Sequence, residues 1–211
     1  MSFRFRNAAS VVAGTFNIYI VQPNWLAQVG ILEEGATSQM WADLDRPGFR
    51  FRVKDSMLTW NVRPDRITLE SGSPNDDCGS PLEKVIGALQ WTPLMGVGTN
   101  LQFAADLDEL PRLRYKCPTF EPPSGFSQGQ STWHAALVKD QHTFNFQIAV
   151  SPPTKVPQNV VLSINVHTEI ARDLKQLDAN AVGQAACRKF VGHCNEAVEL
   201  AKNVFGMEIV K

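Results

Sequence analysis

Hydrophobic and polar positions alternate with a period of two over much of this chain, the spacing of strands with one buried face. "GTFNIYIVQ" (14–22) sets Phe16, Ile18 and Ile20 on one side. "FRFRV" (49–53) sets Phe49, Phe51 and Val53 against Arg50 and Arg52. "MLTWNV" and "RITLES" flank Arg63-Pro64-Asp65, whose proline predicts a hairpin turn. "LMGVGTNLQFAA" (94–105) reads as a strand with Gly96 and Gly98 marking a bulge or close packing against a helix. "STWHAALV" and "HTFNFQIAV" alternate on either side of Lys139-Asp140-Gln141, a second hairpin. "VVLSINVHT" puts Val160, Leu162, Ile164 and Val166 one way, Asn165 and His167 the other.

A different period appears in three places. Pro23 and Asn24 open a short helix at "PNWLAQVG". In "DDCGSPLEKVIGALQWTP", Ser80, Pro81 and Glu83 predict a capping box. Leu82, Val85, Ile86 and Leu89 form one apolar face, and Pro93 stops the helix. A last helix is capped between Asp178 and Asn180 and stopped at Gly206. Val182, Ala186, Phe190, Cys194, Val198, Ala201 and Phe205 make its stripe. The order is βαβββαβ, then βββα. It predicts an α+β fold of seven or eight strands: a largely antiparallel sheet with helices mainly on one face. The connection 106–130, "DLDELPRLRYKCPTFEPPSGFSQGQS" from its first residues, is rich in Pro, Gly and charge. The chain therefore reads as a single domain, 1–211, with two halves, 1–105 and 131–211, joined through it. No repeat stands out at solenoid or propeller spacing.

Composition narrows the function. Of 211 residues 44% are hydrophobic and 19% charged, enough for a core and too few charges for a disordered chain. A net charge of −1 disfavours a dedicated nucleic-acid binder. No run of apolar residues is long enough to span a membrane, and the N-terminal "MSFRFRNAASVVAGTFNIYI" reads as structure rather than a signal peptide. The four scattered cysteines read as free thiols, which places the chain in a reducing cytoplasm.

Candidate chemistry is sparse. Cys187 and Cys194 lie two helical turns apart, about 10 Å, too far to share one zinc. His193 sits at the edge of the apolar stripe. No metal site and no cofactor are expected. The one catalytic alternative is a His-His-Asp cluster of His134, Asp140 and His142 about the second hairpin, which would make a metal-dependent hydrolase. Gly96-Val97-Gly98 lies in the wrong context for a dinucleotide fingerprint. Asp76-Asp77 reads as a loop. Arg4, Arg6, Arg50 and Arg52 read first as a solvated sheet face. Tryptophan and arginine on an exposed face, with Arg50, Arg52 and Trp60 as candidates, would suit a protein interface.

The succession "PNWLAQVGILEEG", "VRPDRITLES", "LQWTPLMGVGTNLQF" and "AKNVFG" resembles sporadically distributed, functionally uncharacterised bacterial proteins. That resemblance brings no catalytic motif. It implies a bacterial or phage setting and an accessory component, for instance of a defence or toxin-neutralising complex. The leading expectation is a non-catalytic interaction or assembly subunit, with a protein partner or a second copy of itself. A small-ligand or nucleotide sensor, with a pocket between sheet and helices, is the second.

Overall fold

A computed structural model describes residues 2–42, 47–54, 57–106, 131–139, 142–152 and 159–210. In chain order the elements are β1 (Ser2–Gly14), α1 (Pro23–Gln28), β2 (Thr37–Ala42), β3 (Phe49–Val53), β4 (Leu58–Arg63), β5 (Arg66–Ser71) and α2 (Gly79–Ala88). There follow β6 (Leu94–Asp106), β7 (Ser131–Lys139), β8 (His142–Val150), β9 (Asn159–Glu169), α3 (Gln176–Arg188), α4 (Phe190–Phe205) and β10 (Glu208–Val210). The class is α+β: the described strands form one sheet of ten, nine of them in the order β2-β3-β4-β5-β1-β6-β9-β8-β7, with β10 alongside β1. Every pairing is antiparallel except β10 on β1. No helix among the described residues is long and apolar enough to cross a membrane.

The sheet counts more strands than the alternation predicts, and the first lies elsewhere. β1 occupies Ser2–Gly14, where Ala8, Ser10 and Val12 are buried on one face while β5 and β6 flank it. Residues 15–22, expected as strand, form a loop. Its backbone is satisfied by two turns: Gly14 N–H donates to Asp65 O, Thr15 to Pro93 O and Phe16 to Pro64 O. Phe16 and Val21 still reach the core and Ile18 packs against it, while Ile20 is exposed, so the alternation of Phe16, Ile18 and Ile20 does not record one buried face.

The closing helix is two helices, broken at Lys189. Lys189 N–H bonds to Ala186 O, a tighter turn, before His193 N–H resumes on Lys189 O. The caps also differ from expectation. At α2 the oxygens of Asp77 accept from the N–H groups of Gly79 and Ser80 and from the Ser80 hydroxyl. Glu83 meanwhile pairs with Arg188 of α3 rather than closing a capping box. Asn180 lies inside α3, buried, and donates to the Ile86 carbonyl of α2 at 2.8 Å. Gly206 does end α4, in the left-handed region at φ 63°.

The four described helices lie over one face, and the core fills the space between. One cluster joins Phe51, Trp60, Ile67 and Leu69 to Leu26, Leu82, Ile86, Cys187 and Phe190. The other joins Phe103, Phe144, Leu162 and Ile164 to Ala197, Val198 and Ala201. The segments before and after the connection share the sheet, because β6 pairs with β9 along its length and β10 pairs with β1.

That central pair relates two topologically equivalent units. β1 and β6 each run thirteen residues. β5 flanks β1 as β9 flanks β6, β4 corresponds to β8, and β3 to β7. A helix follows each inner hairpin strand, α2 after β5 and α3 after β9. α1 and β2 are additions to the first unit, α4 and β10 to the second.

Candidate functional site

The face of the sheet turned away from the helices carries no described element, and its residues form lateral rows fixed by register. One row reads Trp41, Arg50, Asn61, Thr68, Val11, Gly98, His167, Thr143, Val138 from edge to edge. The next reads Gln39, Arg52, Thr59, Glu70, Ala9, Asn100, Asn165, Asn145, Ala136. Facing residues in adjacent antiparallel strands share a side, so each row is a contact line.

The middle of this face is flat because its residues are small: Ala9, Val11, Ala13, Gly96 and Gly98. The two glycines make room for side chains of β9. A Cβ on Gly96 would meet the His167 ring at 2.9 Å, and one on Gly98 would meet Asn165 Nδ2 at 3.4 Å. These glycines therefore serve the open face rather than a helix contact, and Gly96 also borders a register shift, where Gly14 pairs with Leu94, in keeping with the expected bulge.

The two sides of the middle differ in chemistry. Over β2–β5 the face carries Arg50, Arg52, Arg63 and Arg66 against two carboxylates, Glu70 and Asp65. Arg50 donates to Glu70 Oε1 at 2.5 Å, and its guanidinium lies 6.0 Å from the ring of Trp41. Trp41 is 47% exposed. The Arg66 guanidinium beside Asp65 holds that carboxyl below its ordinary value. Over β6–β9 the face is amide-rich. Asn165 Nδ2 donates to Asn100 Oδ1 at 2.7 Å, and Asn145 Nδ2 to Asn165 Oδ1 at 3.5 Å. With Gln102, Gln147, Ser163 and His134 these line a half-open hollow of about 560 Å³.

Arg50 and Arg52 thus lie on the open face, and Trp60 does not. Trp60 is fully buried on the helix face, its ring stacked 5.7 Å from that of Phe51 at 7°. It faces Phe51, not Arg50 or Arg52, in the β3–β4 register, which assigns it to the core. The tryptophan that accompanies the arginines is Trp41, in the segment where no element was expected. Its strand is a sheet edge with exposed residues, so it lacks the burial alternation that reveals a strand.

The hairpin does not gather its histidines either. His134 pairs with Gln147 on the open face. His142, five residues from that facing position and of opposite parity, turns to the helix face with Phe144. Asp140 lies outside the described residues. The histidine that His142 meets is His193 of α4, ring centroids 4.7 Å apart. His193 is 5% exposed; its Nδ1 lies 3.5 Å from Thr99 Oγ1, and its Nε2 is buried without a partner. Burial, then His142 and Lys189, pull its pKa down to about 4, with Glu196 opposing. The imidazole is therefore neutral at pH 7. Among the described residues, no three His, Cys, Asp or Glu side chains converge as a metal site would require.

The described cysteines are packing residues. Cys78 and Cys187 are buried, and burial pushes both thiols up to about 12, far from a reactive thiolate. Comparison of the chain with protein-family models and with curated proteins finds no match.

Proposed function

We propose that this protein is a non-catalytic assembly subunit that docks an acidic partner protein on the β2–β5 side of its open sheet face. The observation that carries this reading is the row Trp41–Arg50–Asn61 beside the row Gln39–Arg52–Thr59. Tryptophan and arginine are the residues that most often dominate binding energy at protein interfaces. Here they stand side by side, Arg50 and Arg52 on a strand whose other face, Phe49 and Phe51, is locked in the core. A rigid platform loses little conformational freedom when it binds. Four arginines against two carboxylates favour an acidic surface and speed its approach. The bacterial accessory role that the sequence resemblance implies is compatible with such a subunit.

The test is site-specific photo-crosslinking in native cells, with the reactive group at Thr59 or, as a control, at Gln147. The expected result is one protein captured through Thr59, crosslinked at an acidic segment, and lost on Arg50→Glu with Arg52→Glu. Equal capture at both positions, or capture indifferent to the charge reversal, would refute the reading.

One observation favours a second reading. The amide-lined hollow over β6–β9 offers converging donors and acceptors of the kind that orient a small polar ligand. A thermal-shift screen of nucleotides and metabolites, with Asn165→Ala as control, decides it. A ligand that stabilises the parent and not the variant would establish a sensor.

A further inference from the structure

We infer that the edge of β7 that no other described strand pairs with is a homodimer seam, at which two copies of this chain join their sheets into one. The two edges of the sheet are built differently. β2 is six residues long, and its register slips between Thr37 and Gln39, an irregularity that hinders further strand addition. β7 runs nine residues, "STWHAALVK", in unbroken register with β8. It holds no proline, and its only Lys, Arg, Asp or Glu is the terminal Lys139, so it lacks the usual devices that blunt an edge. Among the described residues, β7 pairs with β8 alone. Its side chains are left partly bare on both faces: Leu137 is 36% exposed on the helix side and Val138 73% on the other.

The register tells which backbone groups are available. Lys139 and His142 face each other across a two-residue connection, so they are a hydrogen-bonded pair. Bonding alternates along an antiparallel ladder, which assigns Leu137, Ala135 and Trp133 to β8 as well. Thr132, His134, Ala136 and Val138 then turn their N–H and C=O groups outward.

A second copy fits this edge because the sequence complements itself about Ala135. In antiparallel pairing Ala135 faces Ala135 of the second copy, and His134 faces Ala136. Trp133 faces Leu137, and Thr132 faces Val138. The outward groups of residues 134 and 136 meet as hydrogen-bonded pairs, which is the arrangement that two-fold pairing requires. No charge faces a like charge, and each indole covers an exposed leucine on the helix side. This is an isologous contact, so it closes at two copies and leaves both open faces on one side.

The test uses the full chain. Light scattering coupled to size exclusion should give twice the 23.4 kDa chain mass. Ala135→Cys puts a thiol on the two-fold axis at a close, non-hydrogen-bonded pair, where a disulfide forms without backbone movement. It should cross-link on mild oxidation, while Leu137→Cys, facing Trp133, and the parent with its own cysteines should not. Ala136→Pro, which removes an outward N–H at two symmetric places, should run as a monomer. A monomeric parent at about 100 µM overturns the inference; this is a concentration at which even a micromolar dimer is mostly assembled. So does a dimer in which Leu137→Cys cross-links as readily as Ala135→Cys, or in which neither does. The seam and the Trp41–Arg50 platform lie at opposite ends of the sheet, so either proposal survives failure of the other.

Discussion

The two units of the sheet share a strand order and differ in what they put on each face. Beneath the helices the difference is one of shape. The first unit packs an aromatic stack, Phe49, Phe51 and Trp60, while the second packs Phe144, Ile148, Leu162 and Ile164. Both solutions are apolar, because a face covered by helices leaves no other choice. On the open face the difference is one of kind: arginine and tryptophan over β2–β5, amides, serine and histidine over β6–β9. Folding requires little of that face beyond strand propensity. That face, where packing constrains residue choice least, is where the two units contrast most.

The comparison breaks most visibly if the two cores melt separately. Trp60→Ala and Phe144→Ala each empty a fully buried site, one in each unit. Each should cost about 3–5 kcal/mol. Because β1 and β6 pair along their length, both variants should shift one cooperative transition, seen alike by fluorescence and circular dichroism. Two transitions, with each variant moving only one, would make the units separate domains.

The seam between the units offers a smaller effect. Gly79, at the start of α2, sits against α3 and α4: an added Cβ would meet the Cys187 carbonyl oxygen at 2.1 Å and Phe190 Cβ at 2.4 Å. The obstacle is largely backbone and cannot swing aside. Gly79→Ala should therefore destabilise by about 3 kcal/mol, the upper end for overpacking. Gly192, in α4, has nothing near its Cβ position, and Gly192→Ala should be neutral or stabilising by up to about 1 kcal/mol. Urea denaturation of the pair checks both signs.

The second unit buries an imidazole, His193, against the half-buried His142, and this makes it the acid-sensitive one. His193 titrates at about 4 when folded and near its ordinary 6.5 when unfolded. Between those values the unfolded chain binds more protons. Stability is then fully present above pH 6.5 and falls as pH drops through 4. The groups around it are His142, Thr99, Lys189 and Glu196, and Glu196 is itself held by Lys139 at 2.5 Å. Allowing for partial relaxation, the loss is about 2 kcal/mol. Urea midpoints at pH 7 and pH 4.5 should differ less in His193→Leu than in the parent. An equal difference in both would locate the acid response elsewhere.

What the sequence made legible follows burial. β3 to β6, β8 and β9 declare themselves because one face is packed and the other is not, and α2 likewise through Leu82, Val85 and Ile86. β2 was silent because an edge strand with Met40 53% and Trp41 47% exposed has no alternation to read. The loop 15–22 misled for the converse reason: Phe16 and Val21 are buried while their backbone bonds to turns. Arg50 and Arg52 were legible on the open face, since they alternate with core phenylalanines. Trp60 was not, because period-two logic gives the face only once a neighbour's register is known, and Phe51 supplies it. The His142–His193 contact joins residues fifty-one positions apart on a strand and a helix, and no local pattern records it.

The smallest effects should come from the open face itself, and there stability and binding must part. Arg50 and Glu70 form an ion pair with side chains 53% and 32% exposed, so Arg50→Ala should cost less than about 1 kcal/mol. Trp41→Ala and Asn145→Ala, one on each unit, should each fall within about 0.5 kcal/mol of the parent, since both are exposed at the surface. If the acidic partner docks on β2–β5, Trp41→Ala and Arg50→Ala should abolish photo-crosslinking through Thr59 while leaving the melting curve in place. Asn145→Ala should change neither. Loss of capture in Asn145→Ala as well would extend the docking surface across the middle of the sheet and erase the functional distinction between the two units.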